Sequence, residues 1–306
     1  MKTDYIVGVD AGGTKTRLRF ATPDGRTLDE RIHPAGEWTA LDAPGKALLL
    51  DARLRETTAR RPLAVAVGAH GCDSDQECLD LRDALAARTG TPVTVVNDAF
   101  LLEAAVPHGG PGAGLIVGTG SIAVARTPDG TSLYAGGWGW LLGDPGSAWG
   151  TVREAVRLLT RAHDRHGHVD DPLLPLLLRR SGGRDLRDLR DVVDAMQRLR
   201  PREWADWAPA VFDAAERGSP AARAAVAKGA DDLVDLVDQV QERGAALSRV
   251  IAGGAVIAAR PLLAERVAAR LRARLGLPLT VYSGEPVAGA VRLAHALAAP
   301  GPVRGS

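Results

Sequence analysis

The segment "VDAGGTKTRLRF", residues 9–20, interrupts a strand pattern with a carboxylate and two glycines. The residues before the interruption, Tyr5–Val9, read as a buried strand, and those after it, Thr16–Ala21, read as a second strand. A third strand, Thr27–His33, follows the Pro-Asp-Gly turn at 23–25. The chain therefore begins with a predicted meander of three strands whose first turn carries unusual residues.

The residues of that first turn are suited to binding an anion. Glycines at positions 12 and 13 let an anion approach the backbone N–H groups closely. Asp10 can hold a hydrated magnesium ion, whereas Thr14 and Lys15 can reach phosphate oxygens. Because Asp-Gly turns are also common in plain hairpins, an ordinary β-turn is the alternative. The segment matches neither the Walker A motif nor the glycine pattern of dinucleotide-binding folds.

Composition narrows the class of protein. The chain has 306 residues, 45% of them hydrophobic, and a formal net charge of +1. This length suggests about two domains, and the balanced charge argues against a nucleic-acid or anionic-membrane surface. No apolar run approaches the roughly 20 residues of a membrane span, and the N-terminus lacks a signal-peptide pattern. We therefore expect a cytoplasmic protein, and the excess of arginine and alanine suggests a GC-rich bacterial genome.

The strand-and-turn pattern occurs twice. The glycine-rich stretch "PHGGPGAG" (107–114) predicts a hinge, and a second meander follows it. "TPDG" stands at 22–25 and again at 127–130, an offset of 105 residues, each time after a glycine-interrupted strand. The matching positions favour a duplication. We expect an α/β protein with two similar domains that face each other across a cleft.

The rest of the chain alternates helices and strands around one helical block. Further strands are predicted at 63–67, 93–96, 115–117, 122–126, 249–252 and 279–282. Helices are predicted at 41–60, 76–89, from near residue 98, at 257–275 and at 287–298, with a mostly helical insertion at about 147–245.

Two further glycine turns could serve the same ligand as the first. "GTGS" (118–121) occupies the equivalent turn of the second meander, and "AGGAV" (252–256) joins a strand to a helix. Gly253 and Gly254 would permit the close approach of a base or ribose. A simple tight connection explains either turn equally well when it is considered alone.

Asp98 is the candidate catalytic residue. It follows a buried strand and Asn97, at the carboxyl edge of the predicted sheet, where ligands bind in open α/β folds. A carboxylate there can accept the proton of a hydroxyl that attacks a phosphate. The alternative is that Asp98 caps the helix that follows. The nearby glycine turns favour the catalytic role.

The segment "GGWGWLLGDPGSAWG" (136–150) is dense in glycine and tryptophan. Asp144 is its one ionisable residue and could bind substrate hydroxyls. We expect Trp138 and Trp140 to lie in the core, as tryptophan usually does. Cys72 and Cys78 do not have the spacing of a metal site, so we expect reduced, structural thiols.

Five motifs, in order, resemble those of N-acetylglucosamine kinases. These motifs are "VDAGGTKT" (9–16), "NDA" (97–99), "GTGS" (118–121), "GGWGWLLGDPGS" (136–147) and "GGAV" (253–256). That family belongs to the ATPase group that also holds activators of benzoyl-CoA reductase and 2-hydroxyacyl-CoA dehydratase, within the actin-like and sugar-kinase superfamily. The resemblance implies two duplicated RNase H-like domains around a cleft, at 1–112 and 113–306. The helix at about 287–299 would pack back on the first domain.

The resemblance also implies roles for individual residues. Asp98 would be the catalytic base, and Asp10 would hold Mg²⁺ through water. ATP would be bound by Gly12, Gly13, Thr14, Lys15, Gly118, Thr119, Gly120, Ser121, Gly253 and Gly254. The sugar would be bound by Trp38, Thr39, Gly71, Asn97, Asp98, Gly137 and Asp144. A homodimer would be expected.

Two residues differ from the family pattern in the segments that are expected to bind the substrate. Ala40 stands where the family usually has a sugar-binding asparagine, and Pro145 replaces the glutamate of the usual "GDEGS". The resemblance therefore implies ATP-dependent phosphorylation of an amino sugar and leaves the sugar open among N-acetylglucosamine, glucosamine and N-acetylmuramate.

Two alternatives to the kinase stay open. An activator ATPase would use cysteines to bridge an iron–sulfur cluster between subunits, but Cys72 and Cys78 lack the expected pattern. A non-catalytic sugar sensor would not need Asp10 and Asp98. The run "HDRHGHVDD" (163–171) has His163, His166, His168 and Asp170 in a possible metal-binding arrangement, but such runs are usually solvated, and we expect no metal there.

Overall fold

The computed structural model describes residues 4–57, 60–106, 108, 110–182 and 188–299, without the side chains of residues 201 and 202. The strands of this part of the chain are β1 Ile6–Ala11, β2 Lys15–Ala21, β3 Thr27–Pro34, β4 Val65–Ala69, β5 Val93–Asn97, β6 Gly112–Val117, β7 Ser121–Arg126, β8 Ser132–Gly136, β9 Arg249–Gly253 and β10 Leu279–Val281. They form two five-stranded sheets, ordered β3-β2-β1-β4-β5 and β10-β9-β6-β7-β8.

The helices accompany these strands in chain order. They are α1 Ala43–Thr57, α2 Asp75–Thr89, α3 Phe100–Ala105, α4 Gly139–Leu142, α5 Ala148–His166, α6 Leu173–Arg180, α7 Leu189–Arg198, α8 Pro201–Trp204, α9 Ala208–Glu216, α10 Pro220–Glu242, α11 Ala255–Ala259, α12 Pro261–Leu275 and α13 Val287–Ala298. Short 3₁₀ helices lie at Trp38–Ala40 and Ala205–Trp207.

Each sheet combines an antiparallel meander with parallel strands. In the first sheet, β1 pairs antiparallel with β2 and parallel with β4, and β4 pairs parallel with β5. The second sheet repeats this arrangement, with β6 antiparallel to β7 and parallel to β9. The carboxyl ends of the parallel strands therefore meet at one edge of each sheet, which is the edge where ligands bind in open α/β sheets.

Local sequence explains why these elements begin and end where they do. All five residues of β4 are buried, as in a central parallel strand covered on both faces. The Ser74 side chain accepts a hydrogen bond from Glu77 N and caps α2, which ends at Gly90 in the left-handed conformation. Ser147 and Gly167 bound α5 in the same way.

The chain divides into two compact units, which we call the first unit (Met1–Gly110 with Gly284–Ser306) and the second unit (Pro111–Ser283). Helix α13 belongs to the first unit because glycine lets it approach the sheet. A Cβ atom at Gly8 of β1 would lie 2.5 Å from the backbone nitrogen of Val291. A Cβ at Gly289 would lie 2.1 Å from the carbonyl oxygen of Leu101. The predicted domain ranges 1–112 and 113–306 stay predictions.

The predicted elements agree with the structure except at a few positions. The helix predicted at 257–275 is two helices, because Pro261 begins α12 after Arg260 leaves helical geometry. Of the predicted hinge 107–114, residues 112–114 belong to β6, while residues 107 and 109 lie outside the described residues. The predicted end of the helix at 41–60 also includes undescribed residues, 58 and 59. No helix of the described chain is long and apolar enough to cross a membrane.

Candidate active site

The turn between β1 and β2 is tight and held at both ends. The N–H of Gly12 donates to the carbonyl of Lys15 at 3.0 Å, and the N–H of Ala35 donates to the carbonyl of Thr14 at 2.9 Å. The residues Thr14 and Lys15 are exposed, and Gly12 and Gly13 are partly exposed. The backbone of the turn is thus accessible to solvent, and the binding of an anion there stays a prediction.

Asp10 lies near the end of β1 in an environment that disfavours a negative charge. Burial, and then the nearby charge of Asp98, raise the pKa of Asp10 from 3.8 to about 7, although Lys15 acts in the opposite direction. A cation at this position would relieve that repulsion. Mg²⁺ is commonly held by one carboxylate together with waters and phosphate oxygens, so Asp10 fits the predicted role.

Asp98 follows β5 at the same edge of the first sheet. The N-cap residue of α3 is Ala99, so Asp98 is not the N-cap of that helix. The Asp98 side chain is 12% exposed, and its Oδ2 lies 3.7 Å from Nδ1 of His70. Burial raises the pKa of Asp98, and His70 acts against this rise. A partly accessible carboxylate with a raised pKa suits a general base.

Asn97 is placed differently from its predicted role as a sugar contact. The side chain is 1% exposed, and its Nδ2 donates to the Cys72 carbonyl at 3.2 Å and to Asp73 Oδ1 at 2.8 Å. Its Oδ1 accepts a hydrogen bond from Ala99 N. Asn97 therefore ties the loop after β4 to the start of α3, next to Asp98.

Trp38 is also inside the protein, although we expected it to contact the sugar. Its ring is fully buried, and its Nε1 donates to the carbonyl of His70 at 2.9 Å. The neighbouring Thr39 and Ala40 are exposed in the same 3₁₀ helix. Gly71 has a φ of +72°, a conformation that favours glycine. Trp38 thus supports the loop that carries His70 and Gly71.

The turn at 118–121 in the second unit is built like the first turn. The N–H of Gly118 donates to the Gly120 carbonyl at 2.9 Å. The Ser121 hydroxyl donates to the carbonyl of Pro145 at 2.7 Å, so Pro145 supports this turn through its backbone. Thr119 is partly exposed.

Asp144 lies beneath that turn. It is 3% exposed, and its Oδ1 accepts a hydrogen bond from Ser121 N at 2.9 Å, while Oδ2 accepts one from Trp149 Nε1 at 2.9 Å. Its φ of +56° is uncommon for a residue other than glycine. A Cβ at Gly120 would lie 2.9 Å from Asp144 Oδ1. The structure thus has Asp144 holding the turn, and the predicted sugar contact stays a prediction.

The third glycine turn packs against the second. Gly254 has a φ of +108°, and a Cβ there would lie 2.6 Å from the Val117 carbonyl oxygen. The N–H of Ala148, at the start of α5, donates to the Gly118 carbonyl at 2.9 Å. Gly137 N donates to the Ser121 carbonyl at 3.0 Å. The second unit therefore brings together its predicted residues around the 118–121 turn.

The expectation that Trp138 and Trp140 lie in the core is wrong. Trp138 is 76% exposed, and Trp140 is 39% exposed and makes an edge contact with the ring of Trp204. Gly136, Gly137 and Gly139 have positive φ values around Trp138, which is the N-cap residue of the four-residue helix α4.

Cys72 and Cys78 are buried, free thiols. A hydrogen bond between the thiols lowers the pKa of Cys72 and raises that of Cys78. Burial argues against the cluster bridge of an activator ATPase, which needs thiols at the protein surface. Within the described residues, no group of three or more His, Cys, Asp or Glu side chains is arranged to hold a metal ion.

The sequence profile of the BadF/BadG/BcrA/BcrD ATPase family matches residues 7–291, nearly the whole chain. The chain belongs to this family. Two characterised relatives are the N-acetylmuramic acid/N-acetylglucosamine kinase of Clostridium acetobutylicum, 27% identical over 178 residues, and the N-acetyl-D-glucosamine kinase of Dictyostelium discoideum, 26% identical over 186 residues. These matches cover 53% and 55% of this chain, and span 56% and 57% of the relatives.

Solved structures of similar fold cover nearly the whole chain. A Chromobacterium violaceum protein with the provisional name N-acetylglucosamine kinase is 25% identical, with a TM-score of 0.70 over 95% of this chain and 99% of that protein. A glucokinase of the ROK family from Streptomyces griseus, solved with glucose and AMPPNP, is 18% identical, with a TM-score of 0.58 over 95% and 98%. This family member therefore has the α/β fold of actin-like ATPases and sugar kinases, with one five-stranded sheet in each unit.

Proposed function

We propose that this family member is a kinase that transfers the γ-phosphoryl group of ATP to a hydroxyl of an amino sugar. The acceptor would be N-acetylglucosamine, phosphorylated at its 6-hydroxyl, or a close relative such as glucosamine or N-acetylmuramate. The observation that carries the proposal is the partly accessible Asp98 carboxylate at the sheet edge that also carries Asp10 and the 12–15 turn. The names of the two characterised relatives support the substrate class.

In the proposed reaction, Asp98 accepts the proton of the acceptor hydroxyl as its oxygen attacks the γ-phosphorus, and the bond to ADP breaks. The raised pKa of Asp98 makes it a stronger base once it is ionised. Thr14 and Lys15 would bind phosphate oxygens in the first unit. Mg²⁺ bound with ATP would be held by Asp10 through water and would supply positive charge to the phosphates.

The second unit carries its own candidate nucleotide-binding residues. The turn 118–121 would direct backbone N–H groups and the Thr119 hydroxyl to phosphates. Gly253 and Gly254 would border the adenosine, since neither has a side chain to obstruct it. Gly137 and Thr39 are exposed and would be available to a sugar. A homodimer and a cytoplasmic location stay predictions.

An ATP-consumption assay over a panel of sugars tests this proposal. The panel contains N-acetylglucosamine, glucosamine, N-acetylmuramate, N-acetylmannosamine and glucose, and the phosphorylated product is identified by mass spectrometry. We expect an amino sugar to be the best acceptor. Colourless protein that phosphorylates none of them would overturn the kinase proposal, whereas brown, iron-containing protein would favour an activator ATPase.

A further inference from the structure

His70 is held in one place by three different elements of the first unit. It directly follows β4, and its N–H donates to the carbonyl of Ala11, at the end of β1, at 2.9 Å. Its own carbonyl accepts the indole N–H of the buried Trp38 at 2.9 Å. With both backbone polar groups bonded, the backbone of His70, from which the imidazole projects, is held by the fold.

The two edges of the His70 imidazole face two different parts of the candidate site. Nδ1 lies 3.7 Å from Oδ2 of Asp98. On the other edge, a Cβ at Gly13 would lie 3.3 Å from both Nε2 and Cδ2. The side chain of His70 is nevertheless 48% exposed. The ring therefore lies between the carboxylate and the glycine turn and remains open to solvent.

We propose that His70 is a positioning residue that orients the Asp98 carboxylate through Oδ2 and fixes its place relative to the 12–15 turn. The second carboxylate oxygen is then left for the acceptor hydroxyl. This inference rests on the proposed kinase function, because it assigns Asp98 a hydroxyl to deprotonate. A distance of 3.7 Å is longer than a hydrogen bond and permits an ion pair that tightens when substrate binds.

The charged groups around Asp98 make the effect of His70 measurable. Burial is the main cause of the raised pKa of Asp98, and the charge of Asp73, in the loop after β4, adds to it, whereas His70 and backbone hydrogen bonds from Ala99 and Asp98 act to lower it. Asp10, in β1, and Asp98 also repel each other when both are ionised. Removing the imidazole takes away its contribution and leaves only the backbone hydrogen bonds to oppose burial and the acidic neighbours. The pKa of Asp98 is then expected to rise further.

Two variants distinguish the contribution of Nδ1 of His70 from that of Nε2. His70→Asn places an amide nitrogen near the position of Nδ1, which faces Asp98, whereas His70→Gln places one near Nε2, which faces Gly13. We expect His70→Gln to lower kcat between about tenfold and about 100-fold, with a smaller change in the KM for the sugar. His70→Asn should retain more activity. Equal losses in both variants, or a loss confined to KM, would contradict the proposal.

A measurement that does not depend on catalysis tests whether the His70 imidazole interacts with the Asp98 carboxylate. The carboxyl carbon of Asp98, assigned by comparison with Asp98→Asn, is titrated by ¹³C NMR in the wild type and in His70→Gln. We expect the midpoint to move upward in His70→Gln and to stay in place in His163→Gln, a matched control on α5 in the second unit. An unchanged midpoint in folded His70→Gln would overturn the proposal, even if the chain proved not to be a kinase. If His70→Gln does not fold, His70→Ala, which removes both ring nitrogens, is titrated in its place, and the same criterion applies.

Discussion

Asp10 should make the unliganded protein less stable above neutral pH, and Asp10→Asn should remove that effect. The pKa of Asp10 is raised from 3.8 to about 7, first by burial and then by Asp98. Each unit of pKa difference corresponds to about 1.4 kcal/mol, so ionising Asp10 in the folded protein costs at most about 4 kcal/mol. The folded state binds this proton more tightly than the unfolded state does. Stability contributed by the protonated carboxyl is therefore complete below about pH 4 and is lost as the pH rises through about 7.

The assay is urea denaturation of wild type and Asp10→Asn at about pH 4 and about pH 8, without nucleotide or magnesium. We expect similar unfolding free energies at the lower pH and a more stable variant at the higher pH, by between about 1 and about 4 kcal/mol. Asp129→Asn is a control of opposite sign, because a hydrogen bond from Thr127 lowers the pKa of the exposed Asp129. A difference between wild type and Asp10→Asn that does not grow with pH would refute the reasoning.

Two further substitutions test the second unit and the substrate side. The Asp144 carboxylate accepts two N–H donors, and Asp144→Asn replaces one of its two oxygens with an NH₂ group, which cannot accept. The unfolding free energy measured by urea denaturation should therefore fall by about 1 to 3 kcal/mol. A neutral effect would contradict the supporting role of Asp144. Ala40→Asn restores the residue usual in the family at an exposed position, and it should lower the KM for N-acetylglucosamine; an unchanged KM would show that this substitution does not determine the preference.

The main elements of the fold were predictable from the sequence because each depends on local pattern. The apolar runs of β4 and β5, separated by the helical pattern of α2, predict two parallel strands and therefore the sheet edge at which Asp98 lies. Membership of the family confirms the resemblance carried by the five motifs. The break between α11 and α12 was missed, although Pro261 was a signal for it, because proline begins a helix more readily than it continues one.

The details of the site were less predictable because they depend on residues distant in the chain. His70 contacts Ala11, Trp38 and Asp98, which are distant from it in the chain. The local sequence "GAHGCDSD" therefore does not predict these contacts. One signal was available: His70 directly follows a strand that is parallel to the strand before Asp98.

Burial was the other property that the sequence could not give. Tryptophan is usually buried, and Trp38 follows this tendency, but Trp138 is 76% exposed. Trp138 lies among glycines with positive φ, whereas Trp38 lies in a 3₁₀ helix and donates a hydrogen bond to His70. The same limit applies to Asn97, whose internal hydrogen bonds were not visible in its motif.

Phosphoryl transfer by Asp98→Asn tests the central claim most directly. The substitution keeps the size of the side chain and removes its ability to accept a proton, so kcat should fall by about 100-fold to about 10,000-fold while the Kd for ATP, measured by calorimetry, stays within about twofold. Asp129→Asn, in an exposed turn, should leave both quantities unchanged. Transfer by Asp98→Asn at a rate near that of the wild type would contradict the assignment of the general base.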